Sequence, residues 1–216
     1  MKLKLNTIFP IAVSVITTAI ILALSLIYNV HEKSFWISEG GVIELLSAIG
    51  YFLCALLIIA VGKWPYVKKY NYFLILIILF GLRELDFDKK FTTMGLLKSK
   101  FYISSSVPLI EKLVGLLVVA IFLYAVMSVI KNHLKEFVLR IKQLSPVYIG
   151  VLITFLLLVF TKSIDGIGRK LGDFGITLAE DSSKIFLVLE EILELGIPFV
   201  IISTYIVYFS EKKHEN

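Results

Sequence analysis

Long uncharged apolar runs separated by short charged stretches dominate the chain. Six stand out, over residues 8–30, 41–62, 72–88, 108–130, 147–165 and 185–209. Each approaches the roughly 20 apolar residues a helix needs to cross the hydrocarbon core. Backbone amides and carbonyls in lipid must be paired within their own segment, so these runs predict helices. The period-two alternation of a membrane β-strand is absent. The pattern predicts an all-α integral membrane protein, a six-helix transmembrane bundle forming one domain over 1–216. Pro10, Pro108 and Pro146 stand near predicted helix starts, where a missing N–H matters least. Pro198 falls inside the sixth run and predicts a kink or local break.

The third run is interrupted early. Arg83-Glu84-Leu85-Asp86-Phe87-Asp88-Lys89-Lys90 follows the apolar stretch 72–82 before that stretch is long enough to cross a bilayer. Either the helix leaves the hydrocarbon halfway, or Arg83 and Glu84 lie inside it facing other protein, which would mark a functional site.

Two connections, 64–71 and 131–145, are compact and basic. Lys63, Lys68 and Lys69 mark the first; Lys131, Lys135, Arg140 and Lys142 oppose the single acid Glu136 in the second. Lysine and arginine divide evenly between the two sides overall, so these compact turns, with Lys2 and Lys4, set the orientation: both termini cytoplasmic. The longer connections 88–107 and 166–184 read as partly ordered lids or interfacial segments. Phe91, Phe101 and Tyr102 could anchor the first of them. A basic residue followed three later by an acid recurs at Arg83/Asp86 and Lys162/Asp165, and Glu44, Glu111 and Glu190-Glu191 open the helices that follow. That short match suggests three related, parallel hairpins aiming carboxylates at the outer side.

Composition agrees with a membrane class: 58% of the 216 residues are hydrophobic and only 18% charged. The net charge of +5 does not point to nucleic acid, because the basic residues are scattered over short loops without an aromatic-basic platform. The first run, preceded by Lys2 and Lys4, is too long for a signal-peptide core and lacks a small-residue cleavage site, so it reads as a retained span. Short connections favour a bacterial inner (plasma) membrane. Cys54 is the only cysteine, which leaves no intrachain disulfide. His31, His133 and His214 fall in predicted connections or termini, which excludes haem held by paired membrane histidines. No glycine-rich nucleotide motif is present.

Candidate chemistry resides in the charges at the outer ends of the helices. At helical spacing Arg83 shares a face with Asp86, Glu84 with Asp88, Lys162 with Asp165, Asp165 with Arg169, and Glu190 with Glu194. Counting from the opposite ends places Glu194 about 7 Å, and Arg83 and Glu84 about 10 Å, inside the outer boundary. The expected site is a polar chamber lined by Arg83, Glu84, Asp86, Lys162, Asp165, Arg169, Glu190, Glu191 and Glu194, with Glu44 at its rim.

Three functions compete for that site. Crowded carboxylates raise one another's pKa and can carry protons, which suits binding and passage of a small solute or ion. Clustered carboxylates also suit a divalent cation, and with Arg83, Lys162 and Arg169 on a head-group phosphate they would serve a metal-dependent membrane enzyme acting on a lipid-linked phosphate. The third is a non-catalytic scaffold in which the charges only fix helix register. Asp165-Gly166-Ile167-Gly168-Arg169, followed by Asp173, approaches the Asp-Gly…Ala-Arg…Asp signature of enzymes that transfer phosphoalcohols from CDP-linked lipids. It is one residue short, and Lys162 stands where that signature has an aspartate, so the stretch is not that signature; Gly166, Gly168 and Gly172 read instead as the end of the fifth helix and a tight loop. The expected partners are the lipid bilayer and a small solute, ion or lipid head group. No nucleic acid is expected, and self-association is left open.

Overall fold

A computed structural model of the chain describes residues 5–29, 36–38 and 40–215. Lys2, Lys4 and His31 lie outside the described residues. The helices are α1 (Leu5–Asn29), α2 (Val42–Lys69), α3 (Asn71–Glu84), α4 (Phe87–Phe91), α5 (Ser99–Ile103), α6 (Leu109–Lys142), α7 (Pro146–Ile164), α8 (Ile167–Gly172) and α9 (Glu180–Glu215), with no strand among the described residues. Four are long and apolar enough to cross a membrane: α1 over Ile8–Tyr28, α2, α6 and α7.

Several expected boundaries move. α3 ends at Glu84 because Asp86 adopts a left-handed backbone (φ 50°), a conformation that aspartate tolerates. Its 14 residues cover only about 21 Å. The basic connection 131–145 is mostly helix, since α6 continues to Lys142 over 34 residues, or about 51 Å. His133 is therefore a helical residue and not a loop residue. α2 continues past residue 62 to Lys69, with a break at Lys63 (φ 57°) two residues before Pro65. Pro146 opens α7, whereas Pro10 lies inside α1, which already begins at Leu5. α9 is assigned as one helix through Pro198, so the expected local break is not seen. The longer connections hold short helices, α4 and α5 in one and α8 in the other.

The chain divides into two compact units, Met1–Gly50 with Leu139–Asn216, and Tyr51–Val138. In the first, α9 packs against both α1 and α7. Ser14 of α1 bonds to Ser203 Oγ and donates to the Phe199 carbonyl at 3.3 Å. Thr18 lies on Gly196, and Leu22 and Leu26 pack on Val188 and Ile192. Rising numbers in α1 thus meet falling numbers in α9: the pair is antiparallel. Gly150 of α7 fits under Thr204 and beside Ile11, and Asp165, just past the end of α7, meets Glu190; α7 is therefore antiparallel to α9 and runs in the same direction as α1. Small residues at these crossings let backbones approach closely, and hydroxyls bond across them, as packing between helices in lipid requires.

In the second unit, Tyr51 and Phe80 rings lie 5.9 Å apart, and Gly81 sits against Tyr51 and Phe52. α6 joins this pair at one end through Tyr124, which donates to Asn71 Oδ1 at 3.1 Å, and through His133, whose Nε2 is 2.7 Å from the Tyr72 hydroxyl. At its other end Glu111 accepts from the Thr93 amide at 2.8 Å, and Gly115 receives the fully buried Phe101.

A Cβ added at Gly150 would stand 2.1 Å from Thr204 Oγ1, whereas nothing lies within 4 Å of one added at Gly172. Gly150→Ala is expected to destabilise the protein by about 1–3 kcal/mol through overpacking. Gly172→Ala is expected to leave stability unchanged, and thermal unfolding of the two purified variants in the same detergent compares them.

Candidate functional site

Two helices deliver the densest charge in the first unit. α7 ends at Ile164, and Asp165 caps it with its amide donating to the Thr161 carbonyl at 2.9 Å. Gly166 then turns the chain with a left-handed backbone (φ 60°). The antiparallel α9 brings Glu190 to the same level. Glu190 lies within hydrogen-bonding reach of the Asp165 carboxyl, with Glu194 one turn further along α9 and Lys162 close by. Lys162 Nζ is ion-paired with Asp165. Lys170 of α8 reaches back to the carbonyls of Lys162 and Ser163 at 3.2 and 3.3 Å. Glu191 and Glu194 are each 7% exposed.

Electrostatics in this group is set by the packing. Asp165 follows the last turn of the α7 span, so Glu190, at its level, stands at the end of the membrane-spanning segments and outside them. Half-burial, reinforced by Asp165 and Glu194, pushes the Glu190 carboxyl up to about 7. Two carboxyl groups share a hydrogen bond only when one of them carries a proton, and the raised pKa allows that proton to be held near neutrality. Lys162 opposes the shift without cancelling it.

The remaining expected site residues are placed differently. Glu44 belongs to the first unit and accepts from the Gly40 amide at 2.5 Å, closing the turn that opens α2. Arg169 lies on α8 and is exposed; its guanidinium folds over Gly166, with Nη2 3.0 Å from where a Cβ would stand. Asp165 and Arg169 do not share a helix face, because the Gly166 turn separates them.

Arg83, Glu84 and Asp86 belong to the second unit. Glu84 is 6% exposed at the last residue of α3. Asp86 lies beyond the helix end and pairs with Lys89 at 2.6 Å, so helical spacing from Arg83 does not apply to it. Nor does it relate Glu84 to Asp88: Asp88 Oδ2 accepts from the Leu96 amide at 3.2 Å and shapes the following loop. Among the described residues, no three His, Cys, Asp or Glu are grouped so as to hold a metal ion.

Sequence reasoning overlooked two groups. Glu111, read from the sequence only as an acid opening a helix, accepts from both the Thr93 amide and hydroxyl, which makes it a loop clamp. His133 stands among the rings of Tyr70, Tyr72 and Phe73, with centroids 5.9, 5.7 and 5.1 Å away. The Tyr70/Tyr72/Phe73 triplet was a visible signal for the second group, but only the continuation of α6 beyond Lys131 brings His133 to it.

The chain matches no protein-family model, no characterised protein and no solved structure.

Glu190 is an acid whose pKa is raised from 4.5 in the unfolded chain to about 7 in the folded one, so the native state binds the extra proton. Its contribution to stability is full below pH 4.5 and is lost as pH rises through about 7. Melting temperature in detergent is expected to fall across that window, and Glu190→Gln should flatten the decline. An unchanged slope in the variant would assign the pH dependence to other groups.

Proposed function

We propose that this is a multi-pass protein of a bacterial plasma membrane that binds a small solute or ion and passes it with proton exchange at Asp165 and Glu190. The observation that carries this reading is the pairing of those two carboxyls at the end of α7, where a proton can be held near neutral pH and still be reached from water. A buried polar seam supports it: Glu194, Thr18, Ser14, Ser203 and Thr204 follow one another down the contacts of α9 with α1 and α7. From Glu194 to Thr204 the seam extends about 15 Å, roughly half the hydrocarbon thickness.

Six crossings with both termini cytoplasmic belong to the same reading. α1 and α7 point the same way, and α2 and α6 are each long enough to cross between them. The chain must then cross once more between Lys69 and Leu109, and α3 is the longest helix available there. α9 returns antiparallel to α7 as the last crossing.

The test uses the full chain, purified and reconstituted in vesicles loaded with a pH-sensitive dye. An imposed pH gradient is expected to collapse in vesicles carrying the wild-type protein. Removal of a positioned proton carrier by Glu190→Gln should slow that collapse by about 100-fold, the scale of a lost acid–base group. Equal rates in wild type, Glu190→Gln and empty vesicles would sink the proposal. Thermal stabilisation by a divalent cation that disappears in the same variant would favour the metal-dependent lipid enzyme instead.

A further inference from the structure

The connection between α3 and α6, residues 85–108, is held at a definite depth by α6. Residues 113–130 of that helix carry no charge and lie between Lys112 and Lys131. They cover about 27 Å, close to the hydrocarbon thickness, so an axial shift either way draws a lysine into lipid. The hydrocarbon boundary at this end of α6 therefore falls near Leu113. Two contacts hold the connection to that level. The Thr93 amide and hydroxyl donate to Glu111 at 2.8 and 2.9 Å. About 6 Å further in, Leu96 and the fully buried Phe101 pack on Gly115.

α3 gives the same depth independently. It starts beside Tyr124 and His133 and runs antiparallel to α6. Its 14 residues cover about 21 Å, which brings its end back to about the level of Gly115. The connection thus begins at the edge of the hydrocarbon and not in water.

What it leaves uncovered at that depth is apolar. Phe87 and Phe91 share one face of α4, with ring centroids 4.4 Å apart, while Lys89 on the opposite face pairs with Asp86. Phe91 is 68% exposed. On α5, burial of Phe101 turns Ile103 outward, where it is 82% exposed. Phe101 and the Tyr102 hydroxyl, expected to anchor the connection, face Gly115 of α6 instead. Leu109, Ile110, Leu113 and Val114 are exposed on α6 at neighbouring levels, so the apolar surface of the connection continues that of a membrane-crossing helix.

We propose that Phe87, Phe91 and Ile103 insert among the phospholipid chains of the leaflet at the N-terminal end of α6, which makes this connection a membrane anchor and not a lid moving in water. Depth and continuity with α6 select lipid as the occupant, and an exposed apolar patch of this kind marks an interaction surface. The anchor does not depend on proton exchange at Glu190.

The full chain is labelled with a nitroxide at Phe91→Cys, Ile103→Cys or Ser105→Cys and reconstituted in phosphatidylcholine vesicles. Cys54 is fully buried and stays unlabelled, and Ser105 is exposed in the turn that precedes α6. Power saturation compares collisions with oxygen, which concentrates in lipid, and with a nickel chelate, which stays in water. Labels at 91 and 103 are expected to lose the chelate access that the label at 105 retains, and to collide more with oxygen. Chelate access at 91 and 103 equal to that at 105 would overturn the proposal. Spin–spin broadening that disappears on dilution with unlabelled protein would also overturn it, by giving the surface to a second copy. Phe87→Cys, on the same face as Phe91, supplies a further position if either substitution unfolds the protein.

Discussion

Close approach of α9 to α1 and α7 is the constraint on which the first unit depends. Lipid chains are as apolar as leucine, so helices in a bilayer gain little by hiding such residues from lipid and associate where backbones can come near. Gly150 under Thr204 and Gly196 under Thr18 are two such places, and a Cβ at either would overlap a buried threonine. These contacts also fix register. Asp165 lies 15 residues beyond Gly150, and Glu190 lies 14 before Thr204. At 1.5 Å per residue in opposite directions, the Gly150–Thr204 crossing itself brings the two carboxyls to one level. The charged site is thus a consequence of small residues some 20 Å away.

Position along that register sets the surroundings of each acid. Asp165 and Glu190 stand just past the apolar span of α7. Glu194 lies about 6 Å deeper on the same face and is buried. A charge at the centre of a membrane helix carries a penalty of about 2.5–3.5 kcal/mol, less near the ends. Position along the register therefore separates the half-buried Glu190 from the buried Glu194.

Sequence pattern revealed the charged group of the first unit better than that of the second because the relevant relations were local. Lys162 and Asp165 are three apart on α7, Glu190 and Glu194 four apart on α9, and periodicity alone proposed both pairs. What periodicity could not supply was the Asp165–Glu190 contact, which depends on helix register set by Gly150 and Thr204. The charges of the second unit were harder to read for a backbone reason. Uninterrupted helix was expected to carry Arg83 to Asp86, but a left-handed residue at 86 ends it, and aspartate advertises such a turn only weakly. The chain past Lys131 posed the opposite difficulty: charge suggested a loop, while nothing between Lys131 and Lys142 breaks a helix. His133 was therefore placed in a connection, whereas the fold puts it on α6 within an aromatic clamp.

Pro198 stands on this seam without interrupting it. Lacking an N–H, it cannot donate within the helix, and its ring fits against Gly50 with α9 still one helix. Further down, Thr18 donates to the Ser14 carbonyl at 2.9 Å, Thr204 to the Val200 carbonyl at 2.7 Å, and Ser14 is within reach of the Pro10 carbonyl at 3.2 Å. Each hydroxyl that spends its hydrogen on a backbone carbonyl presents oxygen lone pairs to whatever lies beside it. Such hydroxyls serve helix association in lipid, whereas a buried carboxyl such as Glu194 is costly at that depth and is not required for it.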